Sequence, residues 1–104
     1  MRGDRLDVEY KNRGIEKVCT IASVAEKKYG LNMAEKIQLR IDQIRAADTV
    51  EQMIQYSIGR CHPLHQNRQN QYAVDLVHPM RLVFEKKDNE VQIVNIIEIT
   101  DYHR

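Results

Sequence analysis

The chain has 104 residues, a formal net charge of +1, and 42% hydrophobic and 30% charged residues. We expect one globular domain over residues 1–104, because this composition is that of a folded protein and argues against disorder. No apolar run approaches the roughly 20 residues of a membrane span, and residues 1–5 lack the apolar core of a signal peptide. The sequence therefore predicts a cytoplasmic protein without a membrane partner.

The first half of the chain is predicted to form a short strand and a pair of helices. Val8 and Tyr10 alternate with acidic residues over 7–11, which is typical of a strand. Apolar residues then recur at helical spacing over 15–29, and Gly30 marks the end of this helix. Asn32 is predicted to cap a second helix that runs to about residue 47. So short a turn favours an antiparallel helical hairpin, and Thr49 is expected to cap a further short helix.

After Gly59 the apolar period changes to two, which predicts strands. The alternating apolar residues are Tyr72, Val74, Leu76, Leu82 and Phe84. Pairing them places Leu76 opposite Leu82 and Val74 opposite Phe84, around a loop at residues 78–80. Arg81 would then lie opposite Val77, on the face away from the core.

A last strand is predicted over residues 91–99, which are apolar on both faces in the middle, as expected of a central strand. This strand delivers Asp101, Tyr102 and His103 to one edge of the sheet. The predicted fold class is α+β, with an N-terminal strand and a helical hairpin packed on a mostly antiparallel sheet.

The second half also carries a concentrated set of groups that move protons or hold anions: Arg60, His62, His65, Arg68, Arg81, Asp101, Tyr102 and His103. An acid, a base and fixed cations are what metal-independent cleavage of a phosphodiester requires. We therefore expect no metal and no cofactor.

Structural explanations compete with this one. His62 could be a turn residue, Arg81 could pair with Asp75, and residues 101–103 could form a frayed tail. Cys61 lies beside His62, but only one thiol is local and a second ligand pair is missing, which argues against zinc. Cys19 and Cys61 are predicted to be reduced, partly buried thiols.

Five segments together resemble a known protein family: His62-Pro63-Leu64, the loop with Arg68, the strand over 72–76, the run Arg81-Leu82-Val83-Phe84, and Asp101-Tyr102-His103. The chain resembles the RelE/ParE superfamily of bacterial toxins, and within it most closely the HigB-like "killer" proteins of type II toxin–antitoxin systems. The resemblance implies a RelE/ParE-like fold for almost the whole chain.

The resemblance also implies an activity and its partners. The expected activity is that of a ribosome-dependent mRNA endonuclease, which cuts mRNA in the ribosomal A site by acid–base transesterification and so inhibits translation. The expected partners are the ribosome with its mRNA and a cognate HigA-like helix-turn-helix antitoxin, with a toxin–antitoxin heterotetramer as one possible assembly.

Roles follow from the resemblance residue by residue. His62 matches an active-site histidine, Arg81 the arginine on the scissile phosphate, and Asp101, Tyr102 and His103 the C-terminal catalytic group. In this assignment His62 or Asp101 is the base and His103 the acid.

Three more residues are assigned to RNA and phosphate binding: Arg60, His65 and Arg68. Arg68 matches a basic loop position. His65 stands where many relatives have lysine, so a permanent charge is lost there.

Two alternatives remain open at this stage. The first is a ParE-like gyrase inhibitor, which would not need His62 together with Asp101 and His103. The second is a degenerate toxin that acts only as an antitoxin-binding or co-repressor partner, which the His65 departure leaves open.

Overall fold

The computed structural model describes residues 5–65, 68–87 and 92–101. In these ranges the chain forms, in order, β1 (Asp7–Tyr10), α1 (Arg13–Thr20), α2 (Ala22–Tyr29), α3 (Leu31–Ala46), α4 (Val50–Gln55), a 3₁₀ turn (Ile58–Arg60), β2 (His62–Pro63), β3 (Gln71–Asp75), β4 (Met80–Lys86) and β5 (Ile93–Asp101). None of the helices in these ranges has the length and apolar character that crossing a membrane requires.

The strands form one sheet in the order β1-β5-β4-β3-β2. β1 runs parallel to β5, and the other neighbours are antiparallel. Because the helices contribute to a single core on one side of this sheet, the predicted α+β class with a mostly antiparallel sheet is confirmed.

The first predicted helix is broken in two, which the apolar spacing did not indicate. Ile21 has extended backbone angles (φ −120°, ψ 105°) and separates α1 from α2. The Thr20 hydroxyl donates to the Glu16 carbonyl at 2.6 Å. Two adjacent β-branched residues, one of them bonded back to the preceding turn, weaken a helix at this point.

The helix starts agree with the sequence in part. Asn12 caps α1 by accepting from the Ile15 amide at 2.9 Å, and Thr49 caps α4 by accepting from the Gln52 amide at 3.0 Å. The predicted Asn32 cap is wrong, because α3 begins at Leu31 directly after Gly30. Gly30 has a φ of 90°, which lets the chain reverse without a polar cap.

The core lies between the helices and the sheet. Its fully buried side chains from the sheet side are Val74, Leu82, Phe84, Val94 and Ile96, and those from the helix side include Cys19, Ile37, Ile41, Ile44, Val50 and Met53. Phe84 stacks on Tyr72 with ring centroids 5.8 Å apart, so the central strand is held to its neighbour by an aromatic pair.

The β3–β4 register differs from the predicted one by two residues. The structure pairs Val74 with Leu82 and Tyr72 with Phe84, and it places Asp75 opposite Arg81. The three-residue turn is shifted by one residue, to 77–79, because the Leu76 amide donates to the Met80 carbonyl at 3.0 Å. A shift of two residues keeps every side chain on its predicted face.

Removing the Phe84 ring should destabilise the fold. Phe84→Ala is expected to lower the free energy of unfolding by about 3–5 kcal/mol, because it removes a fully buried ring. Urea denaturation would measure this, with Leu39→Ala as the control, since Leu39 is 44% exposed on α3. Equal losses in the two variants would contradict the placement of the core.

Candidate functional site

The face of the sheet that points away from the helices, which we call the open face, is set by the alternation of β4. Leu82 and Phe84 enter the core, so Arg81, Val83 and Glu85 point the other way. The register extends this face across the sheet. His62, Ala73, Val83 and Glu98 form one row, and Asp75, Arg81 and Thr100 form the next.

A β-bulge decides which β5 residues reach the open face. Val83 pairs with Glu98 while the next residue, Phe84, pairs with Ile96, so Ile97 is the extra residue. The bulge reverses the alternation beyond Ile97. Glu98 therefore lies on the open face, where uninterrupted alternation would have turned it toward the helices.

Arg81 lies at the centre of the open face. It stands on the central strand between Asp75 on β3 and Thr100 on β5. The residue is half-buried, and its Nε atom is inaccessible to solvent. The cation is thus fixed by a strand that is bonded on both sides.

Arg60 reaches the open face from a tight turn. Ser57, Gly59 and Arg60 all have positive φ, between 53° and 58°. The Arg60 Nε donates to Asp75 Oδ2 at 2.5 Å, although the side chain is 73% exposed. Non-glycine residues in this backbone region are strained. The turn therefore aims Arg60 at Asp75 at some conformational cost.

Asp75 is held from the helix side as well. Arg40 on α3 donates from Nε to the Asp75 carbonyl at 2.6 Å, and it also donates to Gln43 at 2.9 Å. A Cβ on Gly59 would lie 2.8 Å from that same Nε atom. A larger residue at position 59 would therefore be strained by the positive φ and would displace the Arg40 side chain.

His62 is oriented by the same turn. Its Nδ1 lies 2.8 Å from the Arg60 carbonyl. Since a carbonyl oxygen only accepts, Nδ1 is the donor. In the neutral imidazole the lone pair is then on Nε2, which makes this atom the one that can accept a proton.

Arg68 donates hydrogen bonds to residues of the two strands that flank the central strand β4. It donates from Nε to Gln71 Oε1 on β3 at 3.0 Å, and from Nη2 to Glu98 Oε2 on β5 at 2.7 Å. Two of the predicted RNA-binding arginines, Arg60 and Arg68, are therefore paired with carboxylates.

The structure does not bring every predicted residue to this site. Asp101 pairs with Met80, so alternation places it on the other face from Arg81 and Thr100. His65 is exposed in the loop after β2. Tyr102 and His103 lie outside the described residues.

Two acidic residues of the site were missed from the sequence as functional groups. Asp75 was considered only as a partner for Arg81, and Glu98 was not considered at all. Glu98 did carry a signal, because it is the one charged residue in the apolar run from Ile96 to Ile99. A lone charge in a central strand requires a partner.

The cysteines lie apart from this chemistry. Burial raises the pKa of both the Cys19 and the Cys61 thiol to about 12, so neither is a nucleophile near neutral pH. Within residues 5–65, 68–87 and 92–101, no three His, Cys, Asp or Glu side chains are grouped so that they could hold a metal ion.

Comparison with solved structures identifies the architecture. The YoeB–YefM complex from Staphylococcus aureus aligns with a TM-score of 0.61 and 22% identity, covering 96% of this chain and 99% of that chain. The YoeB dimer from the same organism aligns with a TM-score of 0.62, the same identity and the same coverage. The chain has the YoeB fold. No family model and no curated protein sequence matches it.

The YoeB fold accounts for both layers of this structure. Since the alignment covers 96% of the chain, the helical layer and the sheet with its open face both belong to the shared architecture. The proximity of HigB-like proteins that the sequence suggested is not confirmed, because these structures are of YoeB.

A double-mutant cycle tests the contact between Gly59 and Arg40. Gly59→Ala should lower the free energy of unfolding by about 1 kcal/mol for the left-handed backbone and by about 1–2 kcal/mol more for displacing Arg40 from Asp75. In the Arg40→Ala background only the backbone term should remain. Urea denaturation measures both, and equal losses in the two backgrounds would contradict this contact.

The buried thiols make a second prediction. In native protein at pH 8, a chromogenic disulfide reagent should react with the thiols only as fast as the protein unfolds. In guanidinium, both thiols should react rapidly. Because the folded pKa of about 12 exceeds the ordinary 9.0, stability from the neutral thiols is present below about pH 9 and is lost as the pH rises toward 12. Rapid reaction of either thiol in the native protein would contradict the burial of Cys19 and Cys61.

Proposed function

We propose that this chain is the toxin of a type II toxin–antitoxin system and an endoribonuclease that cuts mRNA on the ribosome. YoeB-like toxins are endoribonucleases, and the YoeB fold covers nearly the whole chain. The His62-Pro63-Leu64 block and the Asp101-Tyr102-His103 end, which resemble RelE/ParE toxins, support the same proposal from the sequence.

The observation that carries the proposal is the placement of His62 and Arg81 on one face. Their strands, β2 and β4, are two strand spacings or about 10 Å apart, and Arg81 lies one row farther along the sheet than His62. Both side chains are long enough to approach a phosphodiester bound between them. The lone pair on His62 Nε2 and the fixed cation of Arg81 are complementary to a hydroxyl and to a phosphate.

Cleavage would be a transesterification by these groups. His62 Nε2 takes the proton of the ribose 2′-hydroxyl, and the oxygen attacks the adjacent phosphorus. Arg81 stabilises the charge that develops on the phosphorane oxygens. The 5′-oxygen leaves with a proton, which we assign to His103. For Tyr102 we propose stacking on a base or orienting the substrate.

The charges of the open face support the proposed dependence on the ribosome. Arg60 and Arg68 are paired with Asp75 and Glu98, so the electrostatic attraction for free RNA is small. The ribosome would supply the affinity and the orientation that these pairs withhold. A protein with this task acts in the cytoplasm, where translation takes place.

The partner we propose is an antitoxin. One similar structure is a YoeB–YefM complex, and YefM is not a helix-turn-helix protein of the HigA type. The HigA-like identity expected from the sequence therefore gains no support from this neighbour. The antitoxin type and the heterotetramer stay predictions.

One observation favours a second candidate, a toxin that binds its antitoxin without cutting RNA. The two ion pairs neutralise cations that a nuclease would use on phosphates. The two candidates differ in whether wild-type protein cuts ribosome-bound mRNA at all.

Single substitutions should separate the catalytic groups from the rest of the chain. His62→Ala is expected to slow single-turnover cleavage of ribosome-bound mRNA by about 10²–10⁴-fold, and Arg81→Ala by about 10²–10³-fold. Arg45→Ala is the control, because it removes an exposed cation that bonds to Tyr10 at 3.2 Å on another part of the surface. Unchanged rates for both site variants would refute this assignment.

The ribosome dependence is tested by changing the substrate alone. Purified protein should cut mRNA on translating ribosomes and leave the same mRNA largely intact when it is free, because the paired arginines give little affinity for naked RNA. Gel analysis of both reactions at one enzyme concentration is sufficient. Equally fast cleavage of free mRNA would show that the protein needs no ribosome.

A further inference from the structure

Arg68 forms a strap across the open face. Its two bonds run to Gln71 on β3 and to Glu98 on β5, and β4 lies between these strands. Because β3 and β5 are about 10 Å apart, the guanidinium must lie over β4.

An apolar floor lies beneath this strap. Val83 on β4 and Ala73 on β3 point to the open face, yet neither has any exposed surface. Arg81 lies on the same face, two residues before Val83 along β4. Gln71 lies opposite Glu85 and Glu98 lies opposite Val83. The Arg68–Glu98 pair therefore lies over these two rows, next to the row of Arg81, where the proposed function requires a phosphate.

We propose that Glu98 holds the place of an RNA phosphate on Arg68, so that RNA binding exchanges a carboxylate for a phosphate at this guanidinium. The inference rests on the proposed function and adds a self-inhibitory contact to it. Carboxylate and phosphate are the two anions that a planar guanidinium binds best.

The exposure of the pair allows this exchange. The side chains of Arg68 and Glu98 are 37% and 39% exposed, and ion pairs in such positions are weak enough to open. Arg68 belongs to the segment between β2 and β3, whereas Glu98 is fixed in a central strand. Opening therefore moves the arginine and leaves the sheet intact.

The exchange predicts coupling between the two residues in RNA binding. With Glu98 present, Arg68→Ala should change affinity little, because the phosphate contact is offset by the broken ion pair. In the Glu98→Gln background the same substitution should weaken binding more. If the Arg68–Glu98 ion pair only stabilised the segment between β2 and β3, the two substitutions would change stability, but they would not be coupled in RNA binding.

The experiment measures binding of a short single-stranded 2′-O-methyl RNA, which cannot be cleaved through its 2′-oxygen. Glu98→Gln should tighten binding about two- to fivefold. Adding Arg68→Ala should remove the gain and reduce the slope of log affinity against log salt by about 0.7. Thermal unfolding of each variant confirms that it is folded, and Glu98→Asp, which keeps the charge on a shorter side chain, should fall between wild type and Glu98→Gln.

Glu85→Gln is the matched control. Glu85 lies on the open face of β4, and its carboxylate accepts from Asn95 at 3.3 Å. The substitution removes the same charge without releasing Arg68, so its gain in affinity should be smaller. Equal gains for Glu85→Gln and Glu98→Gln, or an unchanged effect of Arg68→Ala in the two backgrounds, would overturn the inference.

Failure of the inference differs from failure of the proposed function. If wild-type protein cuts ribosome-bound mRNA but shows no Arg68–Glu98 coupling, Glu98 is not a competitor of the phosphate. If the coupling is present and wild-type protein cuts nothing, the strap regulates binding of a polyanion and the nuclease proposal is wrong.

Discussion

The central strand β4 is bonded on both sides, and the rest of the structure depends on its alternation. Leu82 and Phe84 anchor the helical layer, while Arg81 and Val83 form the middle of the open face. A strand so placed cannot slip by one residue without exchanging its apolar core for a cation. Stability and chemistry are therefore specified by the same residues, and the register that buries Phe84 is also the register that positions Arg81.

Acidic residues give the open face its distinctive electrostatic character. Asp75 and Glu98 neutralise Arg60 and Arg68, and Arg40 braces Asp75 from the helix side. These contacts hold the arginines in defined places and limit their attraction for free RNA. Under the proposed function this arrangement would keep the protein from degrading free RNA, because a bound ribosome would supply the affinity and orientation that the ion pairs withhold.

The sequence predicted the layers of the fold better than the details of the site. Period-two apolar residues identified β3 and β4, and Thr49 identified the start of α4. The break at Ile21 was missed because apolar spacing continues through it. The site was harder to predict because one bulge at Ile97 reverses the alternation of β5, which brings Glu98 to the open face and pairs Asp101 with Met80. A strand that is apolar on both faces has no local sequence pattern that indicates such a bulge.

Mapping of 5′ ends in cells tests most directly the proposal that the open face cleaves mRNA during translation. The chain would be induced without an antitoxin, beside an Arg81→Ala control. We expect growth arrest with new mRNA ends confined to translated regions and in phase with the reading frame, and none of these ends in the control. Growth arrest without new ends, or the same ends in the control, would contradict the assignment of the open face as an RNA-cleaving site.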